Sequence, residues 1–301
     1  MLLFGSDPEL FASKKINGED YVVPPVFFRK ELGESILSYD KKHPIFAEIK
    51  VSGNETIKII EDGAAFELTV PPRINILELL GLIHLGYEKV HEIVNKYGYK
   101  ATIIPTINYN TEEYLNMGEE FLMCLIFGCD PDKDAFNIEK IQFEESALDH
   151  PYRYGGGHIH ISGSELIKKY PIPTVKLLAL TVGNFVTANS PHPELDNLRT
   201  YRYGQPGKYR VQKYGKSYNN IPNTEIGIEY RTPSNSWTTI KDMAEGIQYW
   251  ATLAIERILP DKKKAKEIMK ELSETGTRAI VETNKQLADR NLGFILDMSG
   301  E

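Results

Sequence analysis

Cysteine is nearly absent from this chain: Cys124 and Cys129 are the two thiols in 301 residues, and they do not form a C-x-x-C pair. That excludes a disulfide framework and predicts a reducing, cytoplasmic setting. No segment approaches the roughly 18 uncharged apolar residues that a membrane helix needs. The opening Met1-Leu2-Leu3-Phe4 is too short for the core of a signal peptide and lacks its basic flank, so no membrane partner is expected. Repeats, low-complexity tracts and linkers rich in glycine, serine or proline are also missing. Positive charge is in deficit, with 35 Lys and Arg against 42 Asp and Glu, a net charge of −7. This argues against general attraction to nucleic acid or anionic lipid. What remains is ordinary: 41% hydrophobic and 26% charged residues, a composition that excludes a disordered or coiled-coil chain. The length suffices to bury a large core without metal or disulfide staples.

The first seventy residues read as strands and turns. Asn17-Gly18, Gly53-Asn54 and Asp62-Gly63 supply the backbone freedom of tight turns, and Pro71-Pro72 stops the strand before them. Ile76, Leu79, Leu80, Ile83, Tyr87, Val90, Ile93 and Val94 recur at helical spacing, with Gly98 as the stop. Residues 112–127 fit a helix or a buried strand. Further helices are expected over 174–188 and over 239–259, the latter capped by Thr238 or Thr239 and ended by Pro260. Lysine-rich helices over 261–289 are expected to separate near Gly276. Strands and helices do not alternate strictly, so the fold class is α+β, with a largely antiparallel sheet and helices packed on one side. One domain is expected over 1–301, with a core of about 1–260 and a helical C-terminal extension over 261–301.

Residues at i and i+2 share one face of a strand. In 64–70, Ala64, Phe66, Leu68 and Val70 form the core face and Glu67 lies opposite. His158 and His160 share a face, as do Glu225, Glu229 and Arg231. Asp7 and Glu9 project together if 6–10 is extended. A solvated sheet face accounts for any one segment, but less well for histidine and arginine at the centre of the two most regular strands. Gly155-Gly156-Gly157 precedes the His-x-His strand and would let another backbone or a ligand approach closely. Between 199 and 216 lie Arg199, Arg202, Lys208, Arg210, Lys213 and Lys216 with no acidic residue, a pattern suited to an anionic ligand. Gly204-Gln205-Pro206-Gly207-Lys208 is not a phosphate-binding P-loop, because its spacing and last residue are wrong. Carboxylates on several strands together with arginines suit Mg²⁺-nucleotide chemistry.

These residues, in this order, resemble the carboxylate–amine ligases with a glutamine synthetase-like fold, in the branch described in phages as phiEco32-like COOH·NH2 ligase-type 2 proteins. The blocks that carry the resemblance begin with Gly5-Ser6-Asp7-Pro8-Glu9, 62–67 and Gly128-Cys129-Asp130-Pro131-Asp132. They continue with 153–160, Pro191-His192-Pro193-Glu194, 203–210 and 227–231 with Trp237. The resemblance implies a curved antiparallel sheet whose concave face holds ATP and two or three Mg²⁺ or Mn²⁺ ions. It implies Glu9, Glu67, His158 and Glu229 as metal ligands and His160 near the ATP phosphates. Arg210 and Arg231 would hold phosphate or the acyl-phosphate, and Arg202 is a further candidate. Glu229, Arg210 and Arg231 are thus the expected catalytic residues, acting on a small-molecule or peptide carboxylate and an amine; a homo-oligomer is possible. Asp7-Pro8-Glu9 stands where glutamine synthetases carry Glu-x-Glu, and Asp62 stands in the second block in place of a glutamate, so the resemblance leaves Asp7 and Asp62 open as ligands. Glu194 and Asp196 are candidates for a loop shielding the acyl-phosphate. Cys129 reads as a buried structural cysteine.

Two other functions fit parts of the pattern. His158-x-His160 with a carboxylate could hold Zn²⁺ in a metal-dependent hydrolase. Tyr201, Tyr203, Tyr209 and Tyr214 alternate with basic residues, as in a surface that stacks nucleic-acid bases; the net acidity counts against it.

Overall fold

The computed structural model describes residues 1–32, 38–39, 44–115, 117–118, 121, 124, 133–136, 150–215 and 217–301. The 128–132 block, Cys129, Lys216 and half of 112–127 lie outside them. The strands, in chain order, are β1 (Leu3–Ser6), β2 (Glu9–Ile16), β3 (Glu19–Val23), β4 (Ser38–Tyr39), β5 (Pro44–Lys50), β6 (Thr56–Asp62) and β7 (Ala65–Thr69). They continue with β8 (Lys100–Thr102), β9 (Thr106–Asn108), β10 (Lys133–Asp134), β11 (Tyr152–Tyr154), β12 (Ile159–Ser162), β13 (Lys208–Lys213) and β14 (Ile226–Tyr230). The fold is α+β, and among the described residues the strand pairs are antiparallel except β3 with β9.

Two sheets form where one was expected. A five-stranded sheet has the order β1-β12-β14-β13-β10, and a nine-stranded sheet runs β11-β9-β3-β2-β7-β6-β5-β4, with β8 also paired to β2. Asp7 and Pro8 are the whole connection between β1 in one sheet and β2 in the other. Proline removes a ladder donor where the sheets part, and the seam is tied instead by Glu9 N–H to Gly156 O at 2.9 Å and Leu68 N–H to Pro8 O at 3.0 Å.

Behind the seam lies the helix Ile76–Asn95, capped by the Asn75 side chain on Leu77 N–H. Its apolar stripe packs on β1 of one sheet and on β6, β7 and β8 of the other. Gly86 permits the close approach, since a Cβ there would fall 2.6 Å from Leu68 Cδ1. The turn glycines behave as read: Asn17 and Gly18 both adopt positive φ between β2 and β3, as a type I′ hairpin turn requires.

The remaining helices depart from expectation in four respects. Not all pack on one side, because Tyr114 of the helix Thr111–Leu115 joins Phe11 and Val22 on the Glu9 face of β2. The helix Lys241–Thr252 is preceded by a 3₁₀ turn, Asn235–Thr239, that absorbs Thr238 and Thr239; Ile240 occupies the cap position without a side-chain bond. Gly276 does not break the C-terminal pair. It lies inside the helix Lys262–Val281, where a Cβ would sit 2.4 Å from Leu180 Cδ2, so its bare backbone serves helix packing. The break comes at 282–284, with Thr283 at φ 48° and Asn284 capping the helix Lys285–Ser299.

Residues 261–301 are also no appendage. Ile268, Leu272, Ile280, Leu292 and Ile295 belong to the same apolar core as Phe4, Leu10, Phe66 and Tyr230. A buried polar chain adds to this contact, with Asn291 Nδ2 donating to Asn184 Oδ1 at 2.9 Å and Asn184 Nδ2 donating to Ala179 O at 3.0 Å. The run Pro171–Ala188 is long and apolar enough to cross a membrane, carries one charge, Lys176, and is mostly buried in this core.

Candidate active site

Register assembles the site. On the five-stranded sheet, Glu229 in the middle strand β14 is opposite His160 of β12 on one side and Arg210 of β13 on the other. Gly5 of β1 is opposite His160, which delivers Asp7, two residues on, to the histidines. On the nine-stranded sheet Glu9 of β2 lies directly opposite Glu67 of β7, and Asp62 ends the neighbouring strand β6. Like charges directly opposite each other destabilise a sheet, so the second arrangement needs its charge relieved, by a bound proton or by a cation.

Two ligand clusters result. In each of Glu9–Asp62–Glu67 and Asp7–His158–Glu229, one donor atom per residue lies within 4.8 Å of the others. Of the residues expected from sequence, Glu9 and Glu67 therefore meet in one cluster and His158 and Glu229 in the other. Asp7 and Asp62, which the resemblance left open, complete them.

The clusters differ in how their charge is balanced. Burial, the Asp62 carboxylate and, more weakly, Asp7 push Glu9 up to about 8, against the opposing Gly156 N–H and Arg231. Burial and the charges of Asp7, Asp62 and Glu9 likewise raise Glu67 well above the ordinary glutamate range. In the other cluster, burial and Asp7 push Glu229 up, but His158, His160 and Arg231 outweigh them and leave it below its ordinary value. Burial would raise Asp7 too, yet the two histidines hold it far below the carboxylate range. Glu229 also accepts bonds from Arg231 Nη1 and Gln212 Nε2, with Arg210 Nη1 at 3.8 Å.

The histidines have separate environments. His158 is 3% exposed, and its Nδ1 lies 3.2 Å from Asp7 Oδ1 and 3.5 Å from Glu229 Oε1. Burial and Arg231 lower its pKa. His160 presents Nε2 to Asp7 Oδ2 at 3.2 Å and Nδ1 to the Tyr214 hydroxyl at 3.1 Å; burial opposes its protonation, but Asp7 and Glu229 raise its pKa.

Do these residues suit divalent cations? Asp7 Oδ1 is a buried oxygen without a hydrogen bond, although His158 Nδ1 is close. Such an atom is costly unless something else is bound there. Oxygen donors predominate in both clusters, the chemistry of Mg²⁺ or Mn²⁺ rather than of a thiolate metal site. Glu9, Asp62 and Glu67 fit one cation, and Asp7, His158 and Glu229 fit a second.

Gly156 makes room for both. Its N–H donates to Glu9 Oε2 at 2.9 Å, and a Cβ on it would fall 2.7 Å from His158 Nε2 and 3.2 Å from Glu9 Oε1. The flanking glycines serve backbone packing: a Cβ on Gly157 would lie 2.2 Å from Ser234 O, and one on Gly155 2.4 Å from Asn235 Nδ2. Asn235 in turn donates to Glu9 O at 2.8 Å.

The basic stretch is not one anion site. Arg199 is fully buried and donates to the carbonyls of Thr232 and Pro233 at 2.7 and 3.2 Å. Lys208 pairs with Asp134 at 3.1 Å. Arg202 ends the helix Pro193–Arg202, where its charge is felt by the buried Arg153. Arg210 remains, with Arg231 from the next strand, as the pair beside Glu229. Glu194 and Asp196 lie in the first turn of that helix, and Asp196 accepts from the Ser190 hydroxyl at 2.5 Å, so neither belongs to a loop. Of the four tyrosines, Tyr209 is buried, Tyr203 bonds His158 and Tyr214 bonds His160, while Tyr201 is exposed.

Sequence reasoning did not single out Gln212, Tyr203 or Tyr214 for this site. Gln212 was within reach, because it shares the Arg210 face of β13 at i+2; Tyr203 sits in a bend after a helix, where no periodicity points. Compared with models of protein families and with curated proteins, the chain matches none, so the chemistry has to be argued from these contacts.

Proposed function

We propose that the chain is an ATP- and Mg²⁺-dependent carboxylate–amine ligase with a glutamine synthetase-like catalytic fold, joining a carboxylate to an amine on an amino acid or peptide through an acyl-phosphate. The observation that carries this reading is the opposed Glu9–Glu67 pair with Asp62, adjoining a second cluster on which Arg210 and Arg231 converge. The antiparallel strands and the polar face shared across the seam support the fold assignment.

Glu9, Asp62 and Glu67 would hold one cation, and Asp7, His158 and Glu229 another. When bound, the cations neutralise phosphate oxygens, which lets a carboxylate oxygen approach the γ-phosphorus of ATP. Arg210, at the more open edge of β13, is suited to the transferred phosphoryl group, because a guanidinium can grip two oxygens at once. Arg231 is committed to Glu229, Tyr203 and His158 and acts by holding those ligands in place. His160 keeps Asp7 charged. Transfer of the γ-phosphoryl to the carboxylate would release ADP, and attack of the amine nitrogen on the acyl carbon would then form the amide and expel inorganic phosphate, dividing one difficult condensation into two easier steps.

The test is ATP turnover against pools of carboxylates with amino acids, polyamines or peptides. The ligase reading expects release of ADP and phosphate that depends on both partners and is abolished by Glu67→Gln. If no pool stimulates turnover, the reading fails; stoichiometric zinc surviving dialysis would instead favour the hydrolase.

A further inference from the structure

One residue on from Arg231, the segment 232–234 borders a small cavity of about 30 Å³. The helix Pro193–Arg202 contributes Asp196 and Arg199 to its wall, and the break between the two C-terminal helices contributes Thr283. Ser236 reaches it from the 3₁₀ turn Asn235–Thr239. Three of these residues carry a buried polar atom without a hydrogen bond among the described residues: Arg199 Nε, Ser236 Oγ and Thr283 Oγ1. Arg199 is 1% exposed and Ser236 3%, so bulk solvent does not serve them. Met243 and Ile280, on the same wall, offer no strong partner. Buried polar atoms of native proteins are nearly always paired, and three orphans around one space call for a shared partner.

The wall narrows what that partner is. Arg199 repels a cation. The Asp196 carboxylate, whose charge acts on Arg199, repels an anion. The volume excludes an organic ligand. Water fits, because about 10–15 Å³ of such space holds one molecule. It would accept from Arg199 Nε–H, donate to Asp196 and exchange hydrogen bonds with the hydroxyls of Ser236 and Thr283, within the roughly two to four partners of a buried water. Cavities that stay dry have apolar walls, and this one does not.

What such a water would join is specific. Arg199 spends its other nitrogens on Thr232 O at 2.7 Å and Pro233 O at 3.2 Å. Pro233 O also accepts from Gly157 N–H at 3.1 Å, and Asn235 donates to Glu9 O at 2.8 Å. The clamped backbone is thus the one that carries Arg231 and supports the Glu9 strand. On the far side of the cavity, Thr283 holds φ at 48°, a left-handed conformation rare for a β-branched residue. A hydrogen bond from its hydroxyl into the cavity gives that conformation a partner.

We infer that this cavity is a binding site for about one or two resident water molecules, which bridge Arg199 Nε, Asp196, Ser236 and Thr283 and so tie the break between the C-terminal helices to the backbone that carries Arg231. The wild-type protein decides it. A high-resolution crystal structure should show density within hydrogen-bonding distance of Arg199 Nε and at least one of the two hydroxyls. ¹⁷O relaxation dispersion, which counts long-lived waters, should register them in solution. Ser236→Val removes one hydroxyl and fills space, and should lower that count by about one or two. Amide exchange around 283 should quicken in the same variant. A dry cavity in the wild type, or density for an ion, overturns the inference whether or not the variant folds. So does a folded Ser236→Val protein that keeps the wild-type count, or one that loses the water with exchange around 283 unchanged. None of these readouts needs a metal or a nucleotide, so their outcome stands apart from that of the proposed function.

Discussion

Two clusters of three possible metal-binding residues stand side by side across the seam of the sheets, and they are balanced in opposite ways. Asp7, His158 and Glu229 are compensated from within the protein, by Arg231, Arg210 and His160. Glu9, Asp62 and Glu67 have no guanidinium or ammonium in ion-pair contact among the described residues, and Glu9 relies on one backbone N–H and the more distant field of Arg231. The same residue type, a buried glutamate, is held charged in one cluster and pushed toward the neutral form in the other. Glutamate alone therefore does not identify a metal ligand; its partners decide whether a cation is needed or already supplied.

The largest effect expected from breaking this contrast is in the compensated cluster. Glu229→Ala strands two arginines, one of them, Arg231, fully buried. It should lower stability by roughly 3–5 kcal/mol in urea unfolding, as removal of one partner from a buried pair does. A loss below about 1 kcal/mol would show that the pair is not the source of the balance.

Next comes the pH dependence of the metal-free protein. Glu9 has a folded-state pKa raised to about 8 from 4.5. Its contribution is fully present below pH 4.5, declines as the folded state is forced to release the proton, and is gone above pH 8. Thermal unfolding should therefore show a loss of up to a few kcal/mol across that window. Millimolar Mg²⁺ should restore it at the alkaline end. Stability that rises with pH across the window would contradict the assignment.

A smaller change, of opposite sign to that of Glu229→Ala, is expected at Glu67. Glu67→Gln relieves the cross-strand repulsion and should stabilise the metal-free protein at pH 8 by about 1 kcal/mol, while weakening cation binding. Smallest is Arg210→Lys. Arg210 stands 3.8 Å from Glu229 and is partly exposed, so unfolding should change by less than about 1 kcal/mol. ATP turnover should nevertheless fall, because an ammonium cannot reproduce the two-pronged grip.

The two clusters were also unequally legible in the sequence. Alternation along a strand gave the faces that bring His158 and His160 to Asp7 and Glu229 to Arg231, but it also placed Glu225 with them, and that side chain lies beside the Ser217 hydroxyl instead. It could not give register, which is what places Glu9 opposite Glu67 and Glu229 between His160 and Arg210. Nor could it divide one sheet into two at Pro8. Comparison of motifs left Asp7 and Asp62 open, whereas distance brings them into the clusters. Arg199 shows the reverse error: its charge suggested a ligand, and its burial against backbone carbonyls makes it a structural pin. Gly276 misled for a related reason, because a glycine that admits a neighbouring helix looks in sequence like one that ends its own.

The central claim is that the Glu9–Asp62–Glu67 cluster requires a divalent cation. The most direct measurement is calorimetric titration of Mn²⁺ into metal-free wild type and Glu9→Gln at pH 8, with proton release followed in buffers of different ionisation enthalpy. The account predicts saturable binding in the wild type that releases protons from the raised carboxylates, and loss of that component in Glu9→Gln. Binding that is identical in the two proteins, or absent from both, would contradict it.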